Sequence, residues 1–317
     1  MQIRLQIALC LDETYFVPSC VMVYSVCINN PDTDIVFHVV TDESVSENDR
    51  RDLKETVTAF AGKEVVFYTV DSSRTDNFPL LADGRMARAA YYRLFLTDIL
   101  PPDLDKVLYL DDDCIVRHSL LPLWETDLGQ HAVGAVTDFA EGDIDIYNRL
   151  RYPVEKGHFN AGVLLASLDK WRLLHVKEAC VDYLLNYPER IRYMDQDVLN
   201  VVLHDKRLAL PMKYNFQTGF LREVARWDYW KYEKELKEGM KDPVVLHFSE
   251  GNKPWISHPL IPHPYRSTFY KYCNQTRWKG YRCNRFSWKQ IARRIAYLCL
   301  HKLRPQNNAF LALSPID

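Results

Sequence analysis

Three consecutive aspartates end the short apolar run in YLDDDCIV at residues 109–116. Side chains at positions i and i+2 of an extended chain point the same way, so Asp111 and Asp113 can converge on one cation while Asp112 faces elsewhere. Three acids directly after an apolar strand are costly to place together unless a cation lies beside them. The pattern predicts a metal site at the end of a strand; a solvated acidic turn is the alternative interpretation.

Two other segments combine polar side chains with a nearby apolar run. In HFNAGVLL, Asn160 offers a donor and an acceptor that suit sugar hydroxyls, and Gly162 permits close approach of the backbone to a ligand. In HFSEGNKPW, His247 can join carboxylates on a borderline ion such as Mn²⁺, and Lys253 can face a phosphate as a point charge. For each segment alone, a structural loop residue is the competing interpretation.

The segment YMDQDVLN at residues 193–200 places Asp195, Gln196 and Asp197 at the start of an apolar helical stretch. A capping role at the helix N-terminus explains one of the two acids but not three polar residues in a row.

Apolar patterning along the chain alternates between strand and helix character. Strands are predicted at Ile3–Leu11, Ile35–Val40, Glu64–Val70, Val107–Leu110, Ala132–Thr137, Gly162–Leu165 and Val244–Phe248. Helices are predicted at Phe16–Cys27, after a Ser46–Asp49 cap, and at Arg88–Leu100, Lys170–Leu185 and Gln196–Leu203. This alternation predicts an α/β fold with helices on both faces of a sheet, in which ligands bind at the carboxyl ends of strands.

The C-terminal part of the chain is strongly basic. The last 67 of 317 residues carry 12 Lys and Arg against one Asp, for +11, whereas the first 250 carry 28 against 41 acids, for −13. We therefore predict a catalytic domain at residues 1–272 and a basic amphipathic tail at residues 273–317 that associates with an anionic membrane surface. The tail places its apolar residues Trp288, Ile291, Ile295 and Leu298 at helical spacing among basic ones.

Scattered cysteines without a CxxC pair indicate a reduced compartment, and the short apolar N-terminus indicates a strand and not a signal peptide. No run of 18 apolar residues is present. These features predict a cytoplasmic protein, peripheral on the inner face of the cytoplasmic membrane. Extended contact with nucleic acid is not expected, because the first 250 residues are acidic.

Taken in chain order from about Gln6 to Trp255, these motifs resemble glycosyltransferase family 8, which includes bacterial lipopolysaccharide galactosyl- and glucosyltransferases. The resemblance implies a GT-A fold, a single Rossmann-like domain around a mixed sheet. It also implies a UDP-sugar donor, a Mn²⁺ ion (Mg²⁺ being the alternative) and retention of the anomeric configuration. Retention requires either a carboxylate nucleophile, for which Asp195 and Asp197 are candidates, or attack on the face from which the diphosphate departs. The uncharged Gln196 is a poor nucleophile, so its position favours same-face attack. The expected product is a saccharide or glycolipid of lipopolysaccharide or another cell-surface glycan, extended by a galactose or glucose residue.

The resemblance also implies a role for individual residues. It marks Asp111, Asp113 and His247 as metal ligands, and Asp195 and Gln196 as the pair that flanks the reacting carbon. It marks Cys10, Asp12, Thr14, Tyr15, Arg93, Asp111, Asp112, Asn160, Ala161, Asp195, Gln196, Gly251 and Lys253 as donor contacts. It places Asp138 and Glu250 on the acceptor side.

Two other functions compete with this one. A metal-dependent nucleotidyltransferase or phosphohydrolase would use the same acids for phosphorus chemistry, although no P-loop and no further acid cluster accompanies them. A non-catalytic basic protein would bind nucleic acid through its tail. Turnover of UDP-sugars distinguishes the first interpretation from both.

Overall fold

The computed structural model describes residues 3–80, 88–221, 229–249, 251, 253–256 and 263–283, together with two isolated residues, 292 and 296. The strands are β1 Arg4–Leu11, β2 Asp34–Thr41, β3 Lys63–Thr69, β4 Lys106–Leu110, β5 Cys114–Val116, β6 Val133–Thr137, β7 Phe159–Ser167, β8 Arg207–Ala209, β9 Phe216–Gln217 and β10 Val245–His247.

The α-helices are α1 Phe16–Asn29, α2 Glu47–Thr58, α3 Leu96–Ile99, α4 Leu121–Trp124, α5 Ile144–Leu150, α6 Leu168–Leu173, α7 Val176–Asn186, α8 Met194–Leu203, α9 Tyr229–Lys241 and α10 Arg266–Cys273. Short 3₁₀ turns occupy Ser72–Thr75, Arg88–Phe95, Val154–Lys156, Pro188–Arg190, Met212–Tyr214 and Thr218–Leu221. None of the helices in the described part of the chain is long and apolar enough to cross a membrane.

Seven strands form a central sheet in the order β3-β2-β1-β4-β7-β6-β8. All neighbouring pairs are parallel except β4–β7 and β6–β7, because β7 runs opposite to the others. The mixed central sheet predicted from the sequence is therefore confirmed. A smaller sheet of order β5-β10-β9 lies beyond the end of β4.

Alternate residues of the buried strand β1 enter two separate apolar clusters, one on each face of the sheet. Leu5, Ile7 and Leu9 pack with α1 and α2, whereas Ala8 and Cys10 pack on the opposite face. Period-two alternation within a strand that is apolar throughout is what a sheet covered on both faces requires. The predicted cap of α2 is also present, since the Ser46 hydroxyl accepts from the backbone N–H of Asp49.

One predicted helix differs in form. Residues 88–100 were expected to form a single α-helix, but they form the 3₁₀ turn Arg88–Phe95 followed by the one-turn helix α3. The tighter 3₁₀ winding buries Tyr91, Tyr92 and Arg93 together. Tertiary packing thus overrides the helical spacing, because an arginine and two tyrosines must all point inward.

A second predicted helix, over residues 170–185, is two helices. The chain turns at His175, which has a left-handed φ of 50° between α6 and α7. Trp171 and Val176 are both fully buried. Five residues apart on one straight helix, they would lie on different faces, so the break is what allows both to reach the core.

His38 generates a pH-dependent stability. Its ring lies in β2 with Nδ1 2.9 Å from the Tyr68 hydroxyl and Nε2 2.8 Å from Gln6 Oε1. Burial lowers its pKa from 6.5 to about 4. As the pH falls from about 6.5 to about 4, the His38 imidazole therefore becomes protonated in the unfolded chain but stays neutral in the folded chain.

We expect the free energy of unfolding to fall through that window by about 1.4 kcal/mol per pH unit on account of this histidine. Denaturant unfolding at pH 7 and pH 5 should show a smaller loss for His38→Gln than for the wild type. His131→Gln, at a half-buried position, is the control and should keep the wild-type loss. Equal losses in all three proteins would contradict the assignment.

Candidate active site

The polar segments meet at one edge of the central sheet. Strand β4 ends at Leu110, paired with Val163 of the antiparallel strand β7, and β6 ends at Thr137, paired with Phe159. The carboxyl ends of β1, β4 and β6 and the amino end of β7 therefore lie side by side. Ligands of open α/β sheets bind at this edge.

Each outer aspartate of the acidic turn has its own cationic partner. Asp111 Oδ1 accepts from Arg93 at 2.7 Å and from the Tyr109 hydroxyl at 3.0 Å. Asp113 Oδ2 accepts from Lys253 Nζ at 2.5 Å. Burial opposes ionisation of Asp113, but Lys253 and His247 outweigh it and lower the pKa of this carboxyl well below its usual range. Asp113 is thus held as a carboxylate at the end of β4, and Asp111 forms an ion pair with Arg93.

The hydrogen bonds of His247 define its tautomer. The backbone N–H of Gly162 donates to Asn160 Oδ1, so this oxygen is an acceptor. Asn215 Nδ2 also donates to it at 2.8 Å, which leaves Asn215 Oδ1 to accept from His247 Nδ1 at 2.9 Å. In the neutral ring, the proton therefore lies on Nδ1 and the lone pair on Nε2.

That lone pair points at carboxylate oxygens. His247 Nε2 lies 3.1 Å from Asp113 Oδ1 and 3.8 Å from Asp111 Oδ2. Asp113 Oδ1 is buried and has no hydrogen-bond partner. When the imidazole is neutral, these three acceptors converge as the donor set of a cation, and an imidazole with two carboxylates suits a divalent transition metal. The residues present therefore fit a metal ion.

Gly162 leaves room for this arrangement. A Cβ atom built on it would lie 2.3 Å from His247 Cε1 and 2.8 Å from Asp111 Oδ2. Any side chain at this position would enter the space between the imidazole and the carboxylate. The groups that approach Gly162 closely are thus the protein's own metal-binding candidates, and the predicted approach of its backbone to a ligand stays a prediction.

Cys114 also lies beside the acidic turn. Among the described side chains, Asp113, Cys114 and His247 come within 4.8 Å of one another as potential ligands. Burial, followed by the charge of Asp113, raises the pKa of the Cys114 thiol well above its usual range. A protonated thiol is a poor ligand, so Asp111 is the better third partner.

Gln196 lies at the centre of an amide network beside this cluster. Its Oε1 accepts from Asn160 Nδ2 at 3.1 Å and from the backbone N–H of Ala161 at 3.2 Å. Its Nε2 donates to Asp138 Oδ2 at 3.1 Å and to His158 Nε2 at 3.2 Å. All four hydrogen-bonding positions of the amide are occupied, which fixes its orientation.

The two acids that flank Gln196 lie deeper than the amide. Asp195 is 2% exposed and Asp197 is 0% exposed, whereas Gln196 is half-buried. Asp195 Oδ2 pairs with Arg93 Nε at 3.1 Å; burial raises the pKa of this carboxyl to about 7 despite that arginine. Asp197 pairs with Arg149 and takes no part in the network around Gln196.

Arg93 connects these groups from inside the protein. Besides Asp111 and Asp195, it donates to the carbonyl of Ala161 at 2.7 Å and lies over the Tyr109 ring. It is 4% exposed. The structure therefore shows Arg93 as an internal bridge between the two acids, while its predicted contact with the donor stays a prediction.

The remaining predicted donor residues lie along the same edge after β1. Asp12 Oδ1 accepts from the backbone N–H groups of Thr14 and Tyr15, and burial raises the pKa of this carboxyl. Cys10 is buried at the end of β1. Burial and the neighbouring Asp111 charge raise the pKa of Asp112 well above its usual range, and its Oδ1 has no hydrogen-bond partner.

Two predicted residues belong to the segment after β10. Gly251 is exposed, with open space where a Cβ would lie. Glu250, predicted on the acceptor side, lies outside the described residues.

Comparison with known proteins decides the family. The family model described as Glycosyl transferase family 8 matches residues 6–258, most of the chain. The chain belongs to this family. As the motifs indicated, it is a glycosyltransferase, and the family match supports neither of the two alternative functions. Enzymes of this family take a nucleotide-sugar donor and a divalent metal ion.

Individual relatives agree with this family. The chain is 28% identical over 272 residues to the lipopolysaccharide 1,3-galactosyltransferase of Salmonella typhimurium, covering 82% of this chain and 75% of the relative. It is 26% identical over 277 residues to general stress protein A of Bacillus subtilis, covering 86% and 94%. A crystal structure of the galactosyltransferase LgtC with donor and acceptor sugar analogues matches with a TM-score of 0.76 at 29% identity, covering 86% and 96%. The predicted GT-A fold is thereby confirmed.

Two residues of the cluster were missed from the sequence. Asn215 sets the tautomer of His247, and His158 accepts from Gln196. Asn215 is 0% exposed and lies between the aromatic residues Tyr214 and Phe216, and a polar amide in such a position is the signal that could have indicated it. His158 is the first residue of the motif HFNAGVLL, but nothing in its spacing distinguishes it from a core histidine.

Gly162 provides a test of the cation cluster. We expect Gly162→Ala to weaken Mn²⁺ binding and to lower turnover by about 10²-fold, because the new methyl group displaces His247 or Asp111 from the position the ion needs. Binding is measured by electron paramagnetic resonance of free Mn²⁺. Gly134→Ala in β6 is the control, since its Cβ would meet Leu128 and Leu210 at 3.1–3.3 Å, away from the cluster. Wild-type Mn²⁺ affinity in Gly162→Ala would exclude this location.

Proposed function

We propose that this protein is a retaining hexosyltransferase that transfers galactose or glucose from a UDP-sugar to a saccharide acceptor of lipopolysaccharide or another cell-surface glycan. The observation that carries the proposal is the convergence of His247 Nε2 with the carboxylate oxygens of Asp111 and Asp113 beside the amide network of Gln196. The named relatives that act on lipopolysaccharide support the acceptor class.

Asp111, Asp113 and His247 would hold a Mn²⁺ ion, with Mg²⁺ as the alternative. An imidazole ligand favours Mn²⁺, because Mg²⁺ prefers oxygen ligands and water. When bound, the ion supplies positive charge that stabilises the leaving diphosphate. Lys253, which donates to Asp113, adds a second positive charge at the same place.

The donor would lie along the edge formed by β1, β4 and β7. The proposed donor contacts are Cys10, Asp12, Thr14, Tyr15, Arg93, Asp111, Asp112, Asn160, Ala161, Asp195, Gln196, Gly251 and Lys253. The unpartnered Oδ1 of Asp112 supports a hydroxyl donor such as ribose at that position. Asp138 and Glu250 are proposed on the acceptor side, and the bond between Asp138 and Gln196 supports the first of these.

Retention is proposed to proceed by attack on the same face as departure. Double displacement needs an exposed carboxylate nucleophile, but Asp195 and Asp197 are buried in ion pairs with Arg93 and Arg149. Gln196 is the residue of the three that reaches the surface. We therefore place Gln196 and Asp195 next to the reacting carbon, with the amide closest to the sugar.

A donor screen tests the function. Purified protein with Mn²⁺ should release UDP from UDP-galactose or UDP-glucose faster than from UDP-N-acetylglucosamine, and the product should keep the α configuration by NMR. Asp113→Asn should lower the rate by at least about 10²-fold, because it removes a ligand charge. Asp242→Asn, an exposed aspartate paired with His118, is the matched control. A β-linked product, or no release from any donor, would refute the proposal.

The proposed location is the cytoplasmic face of the inner membrane, reached through the basic tail. The described part of that tail packs on the domain: Trp278 meets Phe16 edge to face, and the Cys283 N–H donates to the Trp255 carbonyl. Arg277 pairs with Asp52 and Glu55 of α2, so the basic block is partly neutralised by the domain itself. Residues 284–291, 293–295 and 297–317 of the proposed membrane-associated tail lie outside the described residues.

A truncation after Cys283 removes the tail while keeping these contacts. The removed segment carries six Lys and Arg against Asp317, for +5. We expect the truncated enzyme to release UDP normally but to lose binding to anionic vesicles in a sedimentation assay. Binding of the full chain should weaken as salt rises, because exposed charges are screened. Equal vesicle binding by both proteins at low salt would rule out a membrane role for the tail.

A further inference from the structure

Asp197 is the acid of the segment Tyr193–Asp197 that the proposed chemistry does not use, and it is completely buried. Arg149 of α5 grips it with two hydrogen bonds, from its two terminal nitrogens to Oδ2 at 2.6 Å and to Oδ1 at 3.1 Å. A bidentate pair of this kind fixes the direction of both side chains. α5 is thereby attached to the first turn of α8.

The same carboxylate closes a turn of the backbone. Asp197 Oδ2 accepts from the N–H of Arg192 at 2.6 Å and from the N–H of Tyr193 at 2.8 Å. These two N–H groups lie before α8, where the helix itself offers them no partner. The side chain therefore binds back onto the segment that leads into its own helix.

Met194, between these groups, has an unfavourable backbone conformation. Its φ is 46°, in the left-handed region that a bulky residue rarely adopts, and its side chain is fully buried. Such strain persists only where the surroundings enforce it, and it is concentrated at functional sites. Met194 is directly followed by Asp195 and Gln196, whose side chains point to Arg93 and Asn160.

From these contacts we infer that Arg149 and Asp197 are positioning residues. Their ion pair, called the clasp below, holds the strained turn at Met194 and so orients Asp195 and Gln196 toward the site. The inference rests on the proposed function, because that function places Asp195 and Gln196 next to the reacting carbon. Arg149 does not contact the site itself; it acts through Asp197. Loss of the clasp lets the turn relax to an ordinary conformation, which rotates the two side chains away from Arg93 and Asn160.

A comparison of Arg149→Met, Arg149→Lys and the double variant Arg149→Met/Asp197→Leu separates positioning from stability. Arg149→Met leaves a buried carboxylate without its cation and should lower both Tm and kcat. The double variant removes the uncompensated charge, which should recover most of the lost Tm, although the N–H groups of Arg192 and Tyr193 lose their acceptor. It should not restore kcat, which we expect to stay about 10²-fold below the wild type, because a small misplacement of reacting groups costs that much.

UDP affinity provides the second readout. It should stay within about twofold of the wild type in every variant, because the loss concerns the reacting carbon and not the nucleotide. Arg149→Lys keeps the charge with one point contact, so its kcat should lie between those of the wild type and Arg149→Met. Arg172→Met, which breaks the Arg172–Asp169 pair on α6, is the matched control and should leave kcat unchanged.

Hydrogen exchange reports on the stability of the turn independently of enzyme activity. Amides of the peptide that spans residues 192–197 should exchange faster in the double variant than in the wild type, even though most of the Tm is recovered. Recovery of kcat together with Tm, or unchanged exchange in this peptide, would overturn the clasp. Absence of UDP release by the wild type would instead refute the proposed function, and the exchange result alone would then decide the clasp.

Discussion

The structure around the active edge is organised by negative charge held away from water. Asp111, Asp113 and Asp195 lie within or beside the sheet, and each is paired with a buried cation, Arg93 or Lys253. Unpaired carboxylates at these positions would destabilise the fold, because their desolvation is not compensated. The buried Arg93, with the 3₁₀ turn that carries it, and Lys253 after β10 therefore have the same role, which is to compensate the charge of these acids.

The ion pairs with Arg93 and Lys253 use only one carboxylate oxygen each of Asp111 and Asp113. Asp111 Oδ2 and Asp113 Oδ1 face His247 Nε2, whereas the other oxygen of each acid accepts from Arg93 or Lys253. The protein thus supplies enough positive charge to hold the acids in place and leaves one side of each available to a cation. A chain of hydrogen bonds from Gly162 through Asn160 and Asn215 orients the His247 ring, because Asn215 Oδ1 accepts the proton of Nδ1 and so directs Nε2 toward the acids.

Much of this edge could be predicted from local sequence. The mixed sheet follows from apolar patterning together with the family resemblance, and the convergence of Asp111 and Asp113 follows from the period of a strand. Contacts between segments distant in the chain could not be predicted in the same way. Asn215 reaches His247 through the pairing of β9 with β10, and no spacing in the sequence specifies that register. The helix breaks at His175 and Arg88–Phe95 were missed for a related reason, because tertiary packing overrode the local propensity.

The position of the smaller sheet links metal binding to the stability of the fold. His247 belongs to β10 of the three-stranded sheet, whereas Asp111 follows β4 of the central one. A cation held by both would be a further cross-link between two sheets that are already joined by a short turn and by hydrogen bonds from Asn215 to Asn160 and from Gln217 to Thr137. By linkage, an ion that binds only the assembled arrangement stabilises that arrangement in proportion to its concentration above Kd. Metal supply would then govern the cohesion of the two sheets as well as the chemistry at their junction, and chelation would loosen the smaller sheet before the larger one unfolds.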